Sequence, residues 1–136
     1  PIRYRLKMLK DMGSNAYRTS HNMPSPELVQ ACNEMGMLLM VETFDEWKAK
    51  KMANGYNKYY DEWVERDLVN VVRHYRNDPS VVMWCIGNEG PDQGSAQGAK
   101  LCRMMQDIVH REDPTRPCTQ GMDRVVSDLE VTLDVF

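Results

Sequence analysis

The chain has 136 residues, of which 42% are hydrophobic and 27% are charged, and its formal net charge is −3. This length and composition are typical of one modest globular domain with a real core. The acidic balance gives no electrostatic basis for a nucleic-acid partner. No apolar stretch approaches the roughly 18 residues that a membrane span needs. The sequence therefore predicts neither a nucleic-acid nor a membrane partner.

The first part of the chain alternates helix and strand. The first helix has its apolar residues at helical spacing and ends at Gly13. A short strand is predicted over residues 15–21 and runs into a loop. Ser25 is the predicted N-cap of a second helix, with Pro26 in its first turn and Gly36 at its end. The apolar positions of these two helices are Leu6, Leu9 and Met12, then Leu28, Val29, Cys32 and Met35.

The middle of the chain repeats this alternation at greater length. A second apolar strand over 37–41 ends in an acid, Glu42. The polar loop 43–58 is longer than most loops, which favours a functional or lid role. Its basic run at 48–51 is predicted to be a solvated face. A long amphipathic helix follows, with apolar positions at Tyr60, Trp63, Val64, Leu68, Val71, Val72 and Tyr75.

The last part of the chain contains a further helix after the apolar strand that begins at Val81. The segment 113–117, with two prolines, ends this helix. Residues 118–121 are predicted to form a brief strand, and 131–136 to begin another. The apolar positions of the helix are Leu101, Cys102, Met105, Ile108 and Val109. The methionines predicted to lie in the core by helical spacing are Met8, Met12, Met104 and Met105.

Cysteine usage gives no sign of a metal knuckle. The four cysteines are widely spaced, with no C-x-x-C pair, and three lie among apolar neighbours. The pattern favours small buried side chains, and a disulfide stays an open alternative. The four are Cys32, Cys85, Cys102 and Cys118.

The alternation of helix and strand predicts an α/β fold with parallel strands joined by helical crossovers. A closed eight-stranded (β/α)8 TIM barrel needs about 250 residues, so residues 1–136 would be an incomplete domain, roughly from the first helix to the sixth strand. The start at Pro1 and the end at Phe136, inside an apolar run, fit an excised piece of a longer protein. A doubly wound open sheet is the alternative. Its dinucleotide-binding form is disfavoured because no glycine-rich loop follows a strand.

The strand that begins at Val81 carries the strongest chemical signal. It is apolar throughout and ends abruptly in Asn88 and Glu89. A buried parallel strand usually presents chemistry at its C-terminal end, so Glu89 is the candidate catalytic carboxyl. The plain alternative is a solvated acid at a strand end.

Two other predicted strands also end in polar groups, over 18–21 and 42–46. In a parallel barrel these ends converge on one face. An Arg, a His, an amide and several acids around one pocket suit cleavage of a glycosidic bond, which needs a protonated carboxylic acid and polar groups that hold sugar hydroxyls.

These segments resemble glycoside hydrolase family 2. NAYRTSHNMP at 15–24 resembles its N-x-x-R-x-S-H segment, and GMLLMVE at 36–42 its third strand. FDEW at 44–47 resembles the loop that follows in β-galactosidase-like members. RNDPSVVMW at 76–84, followed by GNE at 87–89, resembles the acid/base signature, and DPTRP at 113–117 fits the segment before the fifth strand. Each motif alone is weak, but their order and spacing make a strong combined signal.

The resemblance implies roles for the residues that match. Glu89 would be the general acid/base, and Asn88 would bind the sugar 2-hydroxyl. Arg18 would lie near the nucleophile and help to keep it ionised, although its acidic partner could also be Glu42. His21 would contact the sugar or shape the subsite. The nucleophile itself would lie on a later strand, beyond this chain.

The loop after the third strand adds two further candidates. Asp45 would hold sugar hydroxyls, and Trp47 would either stack on a sugar or pack the loop. Lys48 stands where some metal-dependent β-galactosidases have a His ligand, which argues against their magnesium site, although Glu46 could still bind something. No cofactor is predicted. Asp78, where the family usually has His, suits the same turn.

The implied function is that of a retaining exo-β-glycosidase, with β-galactosidase specificity first because of the 44–47 loop. β-Glucuronidase and β-mannosidase specificities are the alternatives. The implied partners are a carbohydrate substrate, the remaining barrel strands and flanking β-sandwich domains. A different class of function is a catalytically silent half-barrel, with a structural or sugar-binding role. Residues 1–136 alone are predicted to be inactive.

Overall fold

The computed structural model describes residues 1–123 and residue 134. Four helices alternate with four strands in this part of the chain. The helices are α1 (Ile2–Asp11), α2 (Pro26–Met35), α3 (Tyr60–Tyr75) and α4 (Ala96–Glu112), with a 3-10 turn at Tyr56–Lys58 before α3. The strands are β1 (Ala16–Arg18), β2 (Leu38–Glu42), β3 (Val81–Asn88) and β4 (Cys118–Gly121). The strand predicted over 131–136 lies outside the described residues, apart from Asp134.

The four strands form one sheet in the order β1-β2-β3-β4, and every neighbouring pair is parallel. A parallel pair needs a crossover, and a helix lies between each strand and the next in sequence. The predicted α/β fold with helical crossovers is therefore confirmed. Strand β1 is shorter than predicted, because the N–H of Ser20 bonds to the carbonyl of Arg18, 3.1 Å away, and leaves the ladder.

The predicted first and last residues of the second helix are confirmed at α2. The Ser25 hydroxyl accepts a hydrogen bond from the N–H of Leu28 at 3.4 Å, and Pro26 is the first helical residue. Gly36 ends the helix with φ 64°, a left-handed conformation that an L side chain disfavours.

The core lies between the helices and one face of the sheet. Leu39 and Val41 are fully buried, whereas Leu38 is 42% exposed, so successive residues of β2 point to opposite faces. The largest buried side chains are Trp84, Tyr60, Leu6, Met37, Leu39, Leu68, Ile86 and Met105. All four cysteines are buried, as predicted.

The prediction that four methionines lie in the core is wrong for three of them. Met105 is fully buried, but Met8, Met12 and Met104 are 49%, 73% and 38% exposed. At about 100° per helical residue, Met8 stands some 200° around α1 from the buried Leu6. Met8 and Met12 keep helical spacing with each other, but on the side of α1 away from Leu6, and Met104 lies one position before the buried Met105 on α4.

A buried carboxylate joins the end of α4 to β3. One oxygen of Asp113 accepts hydrogen bonds from the Trp84 indole at 2.9 Å and the Arg116 guanidinium at 2.8 Å. The other accepts from the N–H and hydroxyl of Thr115 at 3.1 and 2.6 Å. Burial alone would raise the pKa of Asp113, but these hydrogen bonds outweigh it and lower the pKa from 3.8 to about 2. The predicted break at 113–117 is thus an ordered turn.

Asp113→Asn is expected to destabilise the protein in a pH-dependent way. A pKa lower in the folded than in the unfolded state stabilises the fold above about pH 4, and this stabilisation is lost as the pH falls towards 2. The difference in unfolding free energy between wild type and variant should therefore be about 2 kcal/mol smaller at pH 2 than at pH 6. Denaturant unfolding, followed by tryptophan fluorescence, measures it. A difference that is independent of pH would contradict the assignment.

Candidate functional site

The C-terminal ends of the four strands gather at one edge of the sheet, as parallel strands require. Their last residues are Arg18, Glu42, Asn88 and Gly121. Glu89 follows Asn88 directly. Three of the side chains predicted to act on substrate therefore lie at one edge, and the rest come from the adjoining loops.

Glu42 is the anchor of this edge. Its side chain is fully buried, and it accepts a hydrogen bond from the Nε of Arg18. Burial would lower the pKa of Arg18, but the hydrogen bond to Glu42 raises it overall. Of the two acidic partners considered for Arg18, Glu42 is therefore the one found within the described residues.

The second partner of Glu42 is His21, whose Nδ1 lies 2.9 Å from the other carboxylate oxygen. An ionised carboxylate can only accept hydrogen bonds, so Nδ1 must carry the proton in this pair. The Nε2 of His21 has no hydrogen-bond partner among residues 1–123 and 134, and the side chain is 41% exposed. Glu42 thus orients two side chains from the β1 end and is not itself exposed to a substrate.

Asn88 is joined to the same network. The Nη2 of Arg18 donates a hydrogen bond to the Asn88 side-chain oxygen at 2.8 Å. This hydrogen bond identifies the side-chain atom that faces Arg18 as the amide oxygen. The two side-chain N–H groups then point the other way as donors. A Cβ at Gly121 would lie 2.6 Å from Arg18 Nη2 and 2.7 Å from Asn88 Oδ1. Only glycine leaves room for this contact at the end of β4.

Glu89 has an unusual backbone. Its φ is 44°, and among the described residues it is the one non-glycine residue with positive φ. Its N–H donates to the carbonyl of Gly121 at 2.9 Å, and its side chain is exposed. Such outliers persist when the surrounding structure holds them, and they cluster at functional sites.

The loop 43–59, called the β2–α3 loop, is organised by Glu46. This carboxylate is 3% exposed and accepts the backbone N–H groups of Lys51, Met52 and Asn57 at 2.7 to 2.9 Å. Burial would raise the pKa of Glu46, but these hydrogen bonds lower it overall. The side chain that the sequence left as a possible ligand is committed to the loop's own backbone.

Gly55→Ala is expected to disturb this loop, because the new Cβ would lie 1.6 Å from Glu46 Oε1. The φ of Gly55 is −81°, so alanine is not excluded by the backbone. Displacement of the buried carboxylate should lower the free energy of unfolding by about 1–3 kcal/mol. Denaturant unfolding and amide exchange at residues 51, 52 and 57 measure the effect. Gly90→Ala is the matched control, since its Cβ would contact nothing within 4 Å.

Trp47 packs the loop against β3. Its indole is 3% exposed and donates to the carbonyl of Ile86 at 2.8 Å. A Cβ at Gly87 would come within 2.6 Å of the indole nitrogen. Of the two roles considered for Trp47, these contacts support packing. The following residues line one small gap, which has no room for a water molecule: Asp45, Glu46, Trp47, Asn88, Gly90 and Gln93.

Lys51 is the site residue that the sequence missed. The run 48–51 was predicted to be solvated, but the Lys51 side chain is 24% exposed. Its ammonium donates to Asp45 Oδ1 at 2.7 Å and to the Asn88 carbonyl at 2.9 Å. Nothing in the spacing of this basic run distinguishes Lys51. Its position follows from the fold of the β2–α3 loop around Glu46.

Among residues 1–123 and 134, no group of three or more His, Cys, Asp and Glu side chains is placed to hold a metal ion. Within the same range no helix combines the length and apolarity of a membrane span.

Known proteins match the chain closely in sequence and structure. The family model described as glycosyl hydrolases family 2, TIM barrel domain, matches residues 2–135. "Beta-galactosidase BoGH2A" of Bacteroides ovatus is 50% identical over 151 residues, covering 88% of this chain and 18% of that protein. The "Beta-glucuronidase" of Sus scrofa is 32% identical over 114 residues, covering 82% of this chain and 17% of that protein.

A solved structure agrees with the fold over nearly the whole chain. A glycosyl hydrolase family 2 member from Bacteroides cellulosilyticus superimposes with a TM-score of 0.92 at 38% identity, covering 98% of this chain and 18% of that one. The chain therefore spans less than a fifth of the length of each of these three proteins. The match accounts for the four parallel strands as part of a TIM barrel.

Proposed function

Because this chain belongs to glycosyl hydrolase family 2 and forms part of its TIM barrel domain, we propose that the protein containing it is a retaining exo-β-glycosidase with Glu89 as general acid/base. The observation that carries the proposal is the network at the strand ends. Arg18, anchored by Glu42, bonds Asn88, and Glu89 follows Asn88 in a held, left-handed conformation.

The proposed reaction is a double displacement. Glu89 protonates the leaving oxygen while a carboxylate nucleophile attacks the sugar, and Glu89 then deprotonates the water that releases it. The nucleophile would come from a later strand outside this chain, about 5–5.5 Å from the acid/base, as retention requires. Residues 1–136 alone should therefore show no turnover. The other strands of the barrel and flanking β-sandwich domains are the proposed intramolecular partners.

The neighbouring side chains have roles that suit this reaction. The side-chain N–H groups of Asn88 have no acceptor among residues 1–123 and 134, and they can donate to the sugar 2-hydroxyl. Arg18 presents positive charge beside the place where the nucleophile would enter. The Nε2 of His21 can form a hydrogen bond with a sugar hydroxyl. Asp45, whose side chain is partly exposed beside Lys51, is the remaining candidate for a hydroxyl contact.

We propose a β-galactoside as the substrate. The relative named "Beta-galactosidase BoGH2A" supports this, since it is 50% identical to the chain, and the FDEW loop at 44–47 agrees with it. A β-glucuronide is the second candidate, because a "Putative beta-glucuronidase" of Formosa agariphila is 37% identical over 121 residues.

Hydrolysis of a panel of nitrophenyl β-glycosides by the full-length protein tests this proposal. We expect turnover of the galactoside, with the β-anomer of galactose as the first product seen by NMR. Preference for the glucuronide would replace the proposed sugar and leave the mechanism in place. Initial release of the α-anomer would overturn retention. No turnover of any β-glycoside would favour the silent, sugar-binding alternative.

A further inference from the structure

The peptide between Asn88 and Glu89 is held at both of its polar atoms. Its carbonyl oxygen accepts a hydrogen bond from Lys51 Nζ at 2.9 Å. Its N–H donates to the carbonyl of Gly121 at 2.9 Å. The two partners come from different elements, the β2–α3 loop and the end of β4. The plane of this peptide therefore cannot rotate without breaking a hydrogen bond.

Lys51 is itself fixed. Its ammonium has three donors, and all three have acceptors: Asp45 Oδ1 at 2.7 Å, the Asp45 carbonyl at 3.4 Å and the Asn88 carbonyl. Its backbone N–H is bound by Glu46 at 2.7 Å. The side chain is pre-positioned by the loop before any substrate arrives.

The held peptide sets the backbone of Glu89. A left-handed conformation is unfavourable for a residue with a Cβ, so an unrestrained Glu89 would return to an ordinary φ. That rotation would swing the side chain away from its present direction. A general acid must lie within hydrogen-bond reach of the oxygen that it protonates, so the direction of the Glu89 side chain matters for the reaction.

We propose that Lys51 is a positioning residue, which holds the Asn88–Glu89 peptide so that the Glu89 carboxyl is aimed at the leaving oxygen. The inference rests on the proposed role of Glu89 as acid/base. In this proposal the β2–α3 loop contributes to catalysis by positioning Glu89, without touching the substrate itself.

Leaving-group dependence separates this role from simple stabilisation of the loop. A phenol leaving group needs protonation as the bond breaks, whereas 2,4-dinitrophenolate departs with little help. Misplacement of the acid therefore slows the first kind of substrate and spares the second. Loss of loop structure alone would slow both alike.

The test compares full-length variants on phenyl and 2,4-dinitrophenyl glycosides of the sugar that the wild type hydrolyses. Lys51→Met should lower kcat/KM by about 30-fold for the phenyl glycoside, a part of the 10²–10⁴-fold supplied by a general acid, and by less than about 3-fold for the dinitrophenyl glycoside. Lys51→Arg, which keeps the charge and donors, should lose less. Lys48→Met is the control and should behave as wild type, because the exposed Lys48 side chain pairs with the exposed Asp61, away from the Asn88–Glu89 peptide.

Equal losses on both substrates, or no loss in either Lys51 variant, would overturn the proposal. Thermal unfolding identifies a variant that fails to fold, and the Arg variant then decides. Glu89→Gln is measured beside them. If it shows leaving-group dependence and Lys51→Met does not, only the inference about Lys51 fails. If Glu89→Gln shows none, the proposed function fails with it.

Discussion

Replacing Glu89 by Gln is expected to lower kcat/KM for a phenyl glycoside by about 10³-fold, within the range attributed to general acid–base catalysis. Gln has nearly the same shape but has no acidic proton to give. The exposed side chain of Glu89 suggests little cost in stability, since no hydrogen bond or ion pair of its carboxyl is found among residues 1–123 and 134. The loss should therefore come from chemistry alone.

Two features of the Glu89→Gln variant would identify an acid/base residue. With a 2,4-dinitrophenyl glycoside the first displacement should survive, and added azide should speed turnover by attacking the glycosyl-enzyme in place of activated water. Glu62→Gln, an exposed acid in the first turn of α3, is the control and should be fully active. A uniform loss on all leaving groups, without an effect of azide, would remove Glu89 from the proposed mechanism.

Glu42→Gln should damage both stability and activity. The variant leaves Arg18 without its carboxylate partner and presents an amide to His21. Both side chains would then lose the contact that orients them. Removing one partner of a buried ion pair typically costs about 3–5 kcal/mol. The Arg18 side chain is 36% exposed and can be partly hydrated, so we expect about 2 kcal/mol. We expect kcat/KM to fall about 10²-fold, since misplaced groups at a site have effects of this size.

Denaturant unfolding and steady-state kinetics measure the two effects of Glu42→Gln. The matched control is Glu34→Gln, which removes an acid from the exposed pair with Arg3. Exposed ion pairs contribute little, so this variant should match wild type in both measurements. A Glu42 variant as active as the control would show that Arg18 and His21 do not need their anchor.

Much of this site was predictable, because parallel strands bring their C-terminal ends together whatever their sequence. The motifs place Arg18, Glu42 and Asn88 at such ends, and the structure finds them hydrogen-bonded to one another. The choice of Glu42 as the partner of Arg18 was left open by the sequence. It depends on the registers of the β1–β2 and β2–β3 pairs, which no local pattern reports.

The parts that were not predictable depend on long-range packing. In the sequence, Lys51 is one of several charges in a basic run. The folding of the loop around Glu46 brings its side chain to Asn88. The positive φ of Glu89 could not be predicted from the sequence, because glutamate rarely adopts this conformation. Met8 and Met12 have a helical period, but the period alone does not say which side of α1 faces the sheet.

The glycine at the end of β4 has a consequence for the design of variants of this site. Strand β4 contributes backbone alone at its tip: the Gly121 carbonyl receives both the Glu89 N–H and the Gln93 side-chain amide, the latter at 2.8 Å. Any side chain at 121 would separate Arg18 from Asn88. Variant libraries should therefore leave this position unchanged and place diversity on loop positions that do not touch the Arg18–Asn88 contact.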